Sequence, residues 1–289
     1  MDDRGFVDLV HRLDDSVASV DGGGFRHTPL LHLGDLGTGM GHTGGLFGKD
    51  ETGNVSGSHK ARHLFGLALH LAVDGVPTDT PLAIASCGNA ALGAAVVARA
   101  TGRPLAVHVP TWADPEILDR LADLGADVRI CERRKGGTGD PCVLRFRELV
   151  TDGAIPFGCQ GTENLMTIDG GRTLGFELAS DLADRGAAAD HLLIHVGGGA
   201  LDLGLGLGLE PAQAGLTGLL ELVHLTLGRR VRPRKGGGRG GQGNKNKKAQ
   251  KGGDVIGAGG LHAVQSPGVP ARAGPLQTIE RTRVSCPVI

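Results

Sequence analysis

The chain has 289 residues, of which 40% are hydrophobic, and its 30 basic and 31 acidic side chains leave a formal net charge of -1. A chain of this length and hydrophobic content can bury a sizeable core, in one large domain or in two smaller ones. The near-neutral balance of charge disfavours a protein that binds nucleic acid or a membrane over its whole surface.

The first residues, MDDRGFVDLVHRLDDS, are acidic and contain no uninterrupted apolar run, so we do not expect a signal peptide. The longest uncharged stretch, residues 80–98, contains Pro81, Gly88 and Asn89, which suits a buried strand and helix better than a membrane span. Five cysteines are an odd number without paired metal-type spacing, which predicts neither a disulfide framework nor a zinc site. These observations predict a cytoplasmic protein without a membrane span or a metal.

Apolar runs alternate between strand-like and helix-like patterns in the middle of the chain. The predicted elements are a strand at 81–86, a helix at 90–102, a strand at 104–110, a helix at 114–125 and a strand at 126–131. Asp114 is predicted to cap its helix, with Pro115 as the first helical residue and Gly125 at the end. The alternation predicts a parallel sheet covered by helices on both faces.

The alternation continues toward residue 201. We expect a helix at 142–152, a strand around 154–160, a helix at 171–186 and a buried strand at 191–201 that runs into a glycine triplet. Ligands of such folds collect at the carboxyl ends of the strands. The two strand ends at residues 86–89 and 197–200 are therefore candidate ligand sites.

Each candidate residue, taken alone, has an ordinary explanation. Three glycines after a strand leave backbone N–H groups unshielded and able to bind a phosphate, but a tight turn is the commoner use of such a triplet. A lysine ahead of a helix, such as Lys60, is most often a solvated side chain, and an asparagine after a strand, such as Asn89, is most often a turn residue. The residues do not identify a function one by one.

Six short motifs, taken together and in order, resemble one family. They are HTPLLHL (27–33), GSHKAR (57–62), SCGNAALGAA (86–95), GADV (125–128), DGGRTLGFE (169–177) and HVGGGAL (195–201). Their order and spacing are similar to those of the fold type II pyridoxal-phosphate enzymes, which include threonine synthase, serine/threonine dehydratase, cysteine synthase and the tryptophan synthase β chain. The resemblance covers about residues 26–201 and implies a tryptophan synthase β-like α/β fold that binds pyridoxal 5'-phosphate.

The resemblance also implies a role for each candidate residue. Lys60 would be the Schiff-base lysine that holds the cofactor, since a primary amine forms the imine and can afterwards move the substrate's α-proton. Asn89 would hydrogen-bond the 3'-oxygen of the cofactor. The phosphate would be held by the backbone of Gly197, Gly198, Gly199 and Ala200, and the substrate carboxylate would face Ser86, Cys87 and Gly88. Ser58 has two roles open to it, as a hydroxyl near the cofactor or as the cap of the helix that begins near Lys60.

The loop SCGNAALG narrows the expected reaction. It is similar to the Ser-x-Gly-Asn loop of threonine synthases, dehydratases and cysteine synthases, whereas the carboxylate-bearing loop typical of tryptophan synthase is absent from this position. We therefore expect β-elimination or replacement on a serine- or threonine-like amino acid, with threonine synthase-like and dehydratase-like activities both open. A homodimer is expected from the family. The alternative is a catalytically impaired or non-catalytic remnant of the fold.

The resemblance weakens after residue 201. Glycine alternates with other residues from Gly204 to Gly208, which disfavours regular structure because each glycine costs a helix roughly 0.5–1 kcal/mol relative to alanine. Residues 229–251 carry ten Lys or Arg and no acidic side chain, a composition that predicts disorder and, as an alternative, a basic arm for nucleic acid. We expect residues 202–259 to be a Gly-rich, basic, low-complexity insert and residues 260–289 to be a shortened return to the family pattern.

The predicted architecture is α/β with two domains, each built on a parallel sheet with helices on both faces. The large cofactor domain is expected to comprise residues 1–84 and 177–201, and the small α/β domain residues 85–176. The cofactor would lie in the cleft between them, and closure of the small domain over the substrate would gate the reaction.

Overall fold

The structure, a computed structural model, describes residues 1–194 and 200–209. Contacts within the chain group it into two units, Met1–Val231 and Arg232–Ile289, and every described residue belongs to the first. Several predictions lie outside the described residues: those for Gly197, Gly198 and Gly199, for the basic tract 229–251, for most of the insert 202–259 and for residues 260–289.

Helices and strands alternate along the described chain. The helices are α1 (Asp3–Asp21), α2 (Gly34–Gly39), α3 (Lys60–Val73), α4 (Asn89–Ala100), α5 (Pro115–Asp123), α6 (Pro141–Thr151), α7 (Thr167–Asp184) and α8 (Ala200–Leu209). The strands are β1 (Leu30–His32), β2 (Phe47–Lys49), β3 (Leu82–Ala85), β4 (Leu105–Pro110), β5 (Asp127–Cys131) and β6 (Ile155–Pro156). A 3₁₀ turn at Val55–Gly57 precedes α3. The strands and helices predicted between residues 81 and 152 are confirmed to within two residues at their ends.

Four parallel strands form the central sheet, in the order β5-β4-β3-β6. Leu82 of β3 pairs with Leu105 of β4 on one side and with Ile155 of β6 on the other. Successive residues of β3 face opposite sides, because Leu82 packs in the cluster formed with α3, α4 and α5, whereas Ala83 packs against Phe146 of α6. Helices therefore cover both faces of the sheet, as predicted, and this explains why its central strands are continuous apolar runs.

The ends of the helices follow from side chains that cap them. Asp114 accepts a hydrogen bond from the backbone N–H of Glu116 at 2.9 Å, with Pro115 as the first residue of α5. Gly125 adopts a φ of +82° just after that helix, in the left-handed region that glycine tolerates without strain. The predicted start and stop of this helix are thus confirmed.

A second apolar core lies between the antiparallel strands β1 and β2 and the helices α7 and α8. It contains buried leucines from three of these elements, with Phe47 of β2 packed against them: Leu30, Leu174, Leu178, Leu182, Leu205 and Leu209. Helix α7 begins at Thr167, four residues before its predicted start.

The glycine-rich segment after residue 200 forms a helix, so the expectation of irregular structure from Gly204 to Gly208 is wrong. Two of its glycines lie directly against the backbone of α7. A Cβ atom on Gly204 would lie 2.6 Å from the carbonyl oxygen of Ile168, and one on Gly208 would lie 3.0 Å from the Cα of Gly175. The glycines that weaken the isolated helix allow this close packing, and the tertiary contact outweighs the poor helix propensity.

The buried strand predicted at 191–201 is not present in the part of that segment that the structure describes. Residues 191–194 have no strand partner, and the side chain of Leu193 is 84% exposed. A strand needs a neighbour to satisfy its backbone N–H and C=O groups, and no described strand pairs with this segment. The last residues of the prediction, Ala200 and Leu201, open α8 instead.

The predicted domain boundaries fall at 84/85, inside β3, and at 176/177, inside α7. The division into a large and a small domain stays a prediction. Among the described residues, no helix combines the length and the apolarity needed to cross a membrane.

Candidate active site

Lys60 is the first residue of α3 and follows a sharp turn of the chain. Ser56 and Gly57 adopt φ values of +54° and +72°, so the backbone reverses just before the helix. Ser58 is extended and buried, and its Oγ accepts a hydrogen bond from the backbone N–H of Lys60 at 3.3 Å. The N-cap position of α3 is His59, so Ser58 lies one residue before it, and both roles expected for Ser58 stay predictions.

Two other parts of the chain contact the backbone around Lys60. The thiol of Cys159, in the loop after β6, donates a hydrogen bond to the carbonyl oxygen of Lys60 at 3.5 Å. Helix α4 packs against Ala61, the residue after Lys60, through Gly93. A Cβ atom on Gly93 would lie 3.3 Å from the Cα of Ala61. Asn89 begins the same helix one turn earlier, so the helices that begin with Lys60 and Asn89 pack through their first turns.

The loops that follow the parallel strands leave the same edge of the sheet. Residues 86–89 follow β3, and residues 157–160 follow its neighbour β6, whose last residue, Pro156, pairs with Ala83. Ser86, Cys87 and Gly88 are half-buried in the first of these loops, and Asn89 is exposed. Trp112, the single tryptophan of the chain, is 77% exposed in the loop after β4 at this edge. The loops after β3, β4 and β6 therefore lie at one edge of the sheet, and the loop after β6 reaches Lys60 through Cys159.

Burial sets the protonation of the groups next to Lys60. It lowers the pKa of His59 to about 4, with the charge of Lys60 acting in the same direction. It also lowers the pKa of His63. Burial raises the pKa of the Cys159 thiol to about 12, although the Lys60 charge opposes this. At neutral pH the imidazoles of His59 and His63 and the Cys159 thiol are therefore uncharged, and no described carboxylate forms an ion pair with Lys60.

His63 joins this part of α3 to the start of α7. Its Nδ1 lies 2.7 Å from the carbonyl oxygen of Thr167 and must donate to it, which fixes the tautomer of the neutral ring. The ring also fits against a glycine, since a Cβ atom on Gly171 would lie 2.7 Å from its Cε1. The ring centroids of His59 and His63 are 6.0 Å apart.

A buried ion network lies on the far side of the same helical turn. The Arg62 guanidinium, 5% exposed, pairs with Glu51 through its Nε at 2.8 Å and with Glu177 through an Nη at 2.7 Å. Lys49 continues the network to Glu177 at 3.0 Å and to Asp181 at 2.7 Å. Burial acts to raise the pKa of Glu177, but hydrogen bonds from Arg62, Thr28 and Lys49 outweigh it and leave that pKa below its ordinary value.

Sequence reasoning did not find this network, although three of its residues lie in quoted motifs. Arg62 ends GSHKAR, Glu177 ends DGGRTLGFE and Thr28 lies in HTPLLHL, so these three motifs meet in space. The charged residues that end two of these motifs were the available signal. The remaining candidate residues divide into two groups: Ala200 is buried at the start of α8, and Gly197, Gly198 and Gly199 lie outside the described residues.

The chain is similar to several solved structures. One is a fungal L-serine ammonia-lyase from Rhizomucor miehei, at 25% identity and a TM-score of 0.54, over 65% of this chain and 56% of that one. A second is maize serine racemase, at 18% identity and a TM-score of 0.54, over 71% and 58%. A third is the processed form of threonine deaminase isoform 2 from Solanum lycopersicum, at 23% identity and a TM-score of 0.52, over 73% and 54%. A comparison with curated proteins finds no significant match.

The chain spans less than two thirds of the length of each of these solved structures. The sequence model of the family described as pyridoxal-phosphate dependent enzyme matches residues 23–220, which is more than half of the chain. The match includes all six motifs and continues through α8, beyond the point where the resemblance was expected to weaken. The chain therefore belongs to the pyridoxal-phosphate dependent enzyme family.

Proposed function

We propose that the protein is a pyridoxal-phosphate dependent lyase that acts on a serine- or threonine-like amino acid. The observation that carries the proposal is the state of Lys60. It begins α3 beside the loop that follows β6, next to the uncharged His59 ring and Cys159 thiol, and without a carboxylate partner in the described part of the chain. An amine in that setting is free to bond to the aldehyde of the family's cofactor.

Two observations support pyridoxal phosphate as the cofactor. The nearest thiol, that of Cys159, stays protonated at neutral pH because its pKa is about 12, so it does not compete with the lysine for an aldehyde. Helix α8 begins at Ala200, directly after the glycine triplet, and a helix N-terminus that follows glycines is a favourable place for a phosphate.

Each predicted site residue has a place in the proposal. Lys60 would hold the cofactor, Asn89 would hydrogen-bond its 3'-oxygen, and the backbone of residues 197–200 would bind its phosphate. When bound, pyridoxal phosphate supplies an electron sink for the charge that develops at the substrate Cα. The loop Ser86–Gly88 would face the substrate carboxylate, a placement that the positive end of the α4 dipole favours.

The amine of Lys60 would also take the proton from the substrate Cα. Loss of that proton together with the β-hydroxyl gives elimination, and return of the proton to the opposite face of Cα gives racemisation. We favour elimination or replacement over racemisation because SCGNAALG is similar to the corresponding loop of dehydratases and threonine synthases. The similar solved structures include an L-serine ammonia-lyase and a serine racemase, so the test must separate these reactions.

The test begins with covalent attachment at Lys60. Purified protein is incubated with pyridoxal phosphate, its visible absorption spectrum is recorded, and borohydride reduction is followed by peptide mapping. In the wild type we expect a visible absorption band and a reduced adduct on the Lys60 peptide. Both should be lost completely in Lys60→Ala. Both should be retained in the control Lys135→Ala, which removes an exposed lysine. A band that persists in Lys60→Ala would contradict the assignment of this lysine.

Product analysis then decides the reaction. Incubation with L-serine and with L-threonine should release ammonia and a 2-oxo acid, whereas a racemase would yield the D-amino acid without ammonia. A protein that binds the cofactor but turns over neither substrate would support the alternative of a catalytically impaired fold. Homodimerisation and a cytoplasmic location belong to the same proposal and rest on the sequence alone.

A further inference from the structure

The guanidinium of Arg62 has an acceptor for every one of its five N–H bonds. Nε and one Nη2 hydrogen reach the two carboxylate oxygens of Glu51, at 2.8 and 3.0 Å, which is a two-pronged pairing. Nη1 reaches Glu177 at 2.7 Å and Thr173 at 3.1 Å, and the remaining Nη2 hydrogen reaches the carbonyl oxygen of Arg26 at 3.4 Å. This side chain is therefore fixed in one orientation.

These acceptors belong to three separate parts of the chain. Glu51 follows β2, Thr173 and Glu177 lie on α7, and Arg26 precedes β1. Arg62 lies in the first turn of α3, two residues after Lys60, so all three parts are tied to the turn that bears the lysine. A lysine at position 62 could reach one or two of these acceptors but could not reproduce the planar fork that joins them.

The first turn also carries the 2.7 Å contact of His63 with Thr167, but the contacts of Lys60 itself are weaker. Lys60 itself is held by the Ser58 hydroxyl at 3.3 Å and by the Cys159 thiol at 3.5 Å, both long contacts. His59, the residue before the helix, makes no capping hydrogen bond with its side chain. The first turn of a helix lacks internal acceptors for its own N–H groups, so its position depends on contacts of this kind. Arg62 supplies the strongest of them.

We infer that Arg62 is a positioning residue, which holds the first turn of α3 in the place that lets Lys60 bond to the cofactor. The inference rests on the proposed function, because it assigns Arg62 a role only if Lys60 is the point of attachment. A displacement of about 1 Å at a reacting group is enough to slow a step about a hundredfold, so a loosened turn should be visible in the rate of attachment.

The experiment compares Arg62→Lys with Leu121→Ala. Leu121 is fully buried in α5, so its truncation lowers stability without touching the ion network. Hydrogen exchange is measured on the cofactor-free proteins, at a temperature well below both unfolding transitions. The rate at which pyridoxal phosphate becomes trapped on the Lys60 peptide is measured by borohydride reduction after timed incubation.

In Arg62→Lys we expect faster exchange in the peptide that contains residues 59–66, unchanged exchange in α5, and trapping on Lys60 slowed about tenfold or more. In Leu121→Ala we expect faster exchange in α5 and unchanged exchange in the peptide that contains residues 59–66. Trapping on Lys60 should proceed at the wild-type rate. Arg62→Lys with a lowered melting temperature but wild-type trapping would overturn the inference and leave the proposed function intact. Absence of trapping in the wild type would overturn the proposed function, and the inference with it.

Discussion

Two regions of the molecule both have apolar cores, but only one of them adds glycine contacts between helices and a buried ion network. The sheet region, comprising β3–β6 with α4, α5 and α6, packs leucine, valine and alanine side chains between its layers. The helix region, comprising α3, α7 and α8, brings backbones into contact through glycines and adds a buried ion network. In the helix region, a Cβ atom on Gly66 of α3 would lie 2.8 Å from the Cα of Gly170 of α7. Apolar packing tolerates small adjustments, whereas a glycine contact or a buried charge does not.

The largest effect should come from the ion network, through Glu177→Gln. This change removes the charge that faces both Arg62 and Lys49, and each hydrogen bond to a charged group contributes about 1.5–3 kcal/mol, although Arg62 keeps Glu51 and Lys49 keeps Asp181 as partners. Urea unfolding should show a loss of that size, with little dependence on salt. The control is Glu148→Gln, whose pairs with Arg134 and Arg145 are exposed and should contribute less than about 1 kcal/mol. Equal losses in the two variants would contradict the comparison.

A smaller effect on the free energy of unfolding should distinguish alanine substitutions at two glycines of α8. Gly204→Ala places a Cβ atom 2.6 Å from the carbonyl oxygen of Ile168 and should destabilise the protein by about 1–3 kcal/mol. Gly206→Ala meets nothing within 4 Å and should be neutral or stabilise by up to about 1 kcal/mol, because alanine favours a helix. Thermal unfolding of the pair tests the packing of α8 directly. Stabilisation by both changes would show that α8 does not pack on α7 in this way.

The smallest effect concerns pH, and each region contributes one buried histidine. Burial lowers the pKa of His63 in the helix region and of His108 in the sheet region. His63 lies near the charges of Lys60 and Arg62, and His108 lies near Arg129, Asp127 and Glu148.

Because both folded-state pKa values are lowered, the unfolded chain takes up protons that the folded chain does not as pH falls below about 6.5. The free energy of unfolding should therefore decrease below that pH, by at most about 1.4 kcal/mol per pH unit for each histidine. Urea unfolding is measured at a series of pH values from 7.5 to 5. The free energy of unfolding should decrease less steeply with falling pH in His63→Gln and in His108→Gln than in the wild type. An unchanged slope in a variant would remove that histidine from the explanation.

The same contrast explains what the sequence could predict. The sheet region follows local rules: Asp114 and Pro115 start α5, Gly125 ends it, and apolar runs between such signals form the strands. The helix region depends on partners far apart in the chain. The Arg62–Glu177 pair spans 115 residues, and no local pattern reports it. Helix α8 was missed for the same reason, since its glycines are poor helix formers until α7 lies against them.

The candidate site divides in a similar way. Lys60, Ser58 and the loop 86–89 could be placed by resemblance of short motifs, and the structure puts Ser58 and Lys60 in direct contact. Cys159 could not, because it reaches Lys60 only through the packing of the loop after β6, and neither could the bond from His63 to Thr167, which joins residues 104 apart. Motifs identify residues that act on a ligand, and the fold decides which others stand beside them.

The exposed Trp112 gives the protein an internal optical reporter. The chain has no tyrosine and no second tryptophan, so its near-ultraviolet emission originates from one indole ring. That ring lies in the loop after β4, at the edge of the sheet from which the loop of Asn89 also emerges. A chromophore that binds at this edge and absorbs in the near ultraviolet would quench the emission by energy transfer. Loading of the site can thus be followed in unlabelled protein, and a change of emission without a chromophore would report movement of the edge itself.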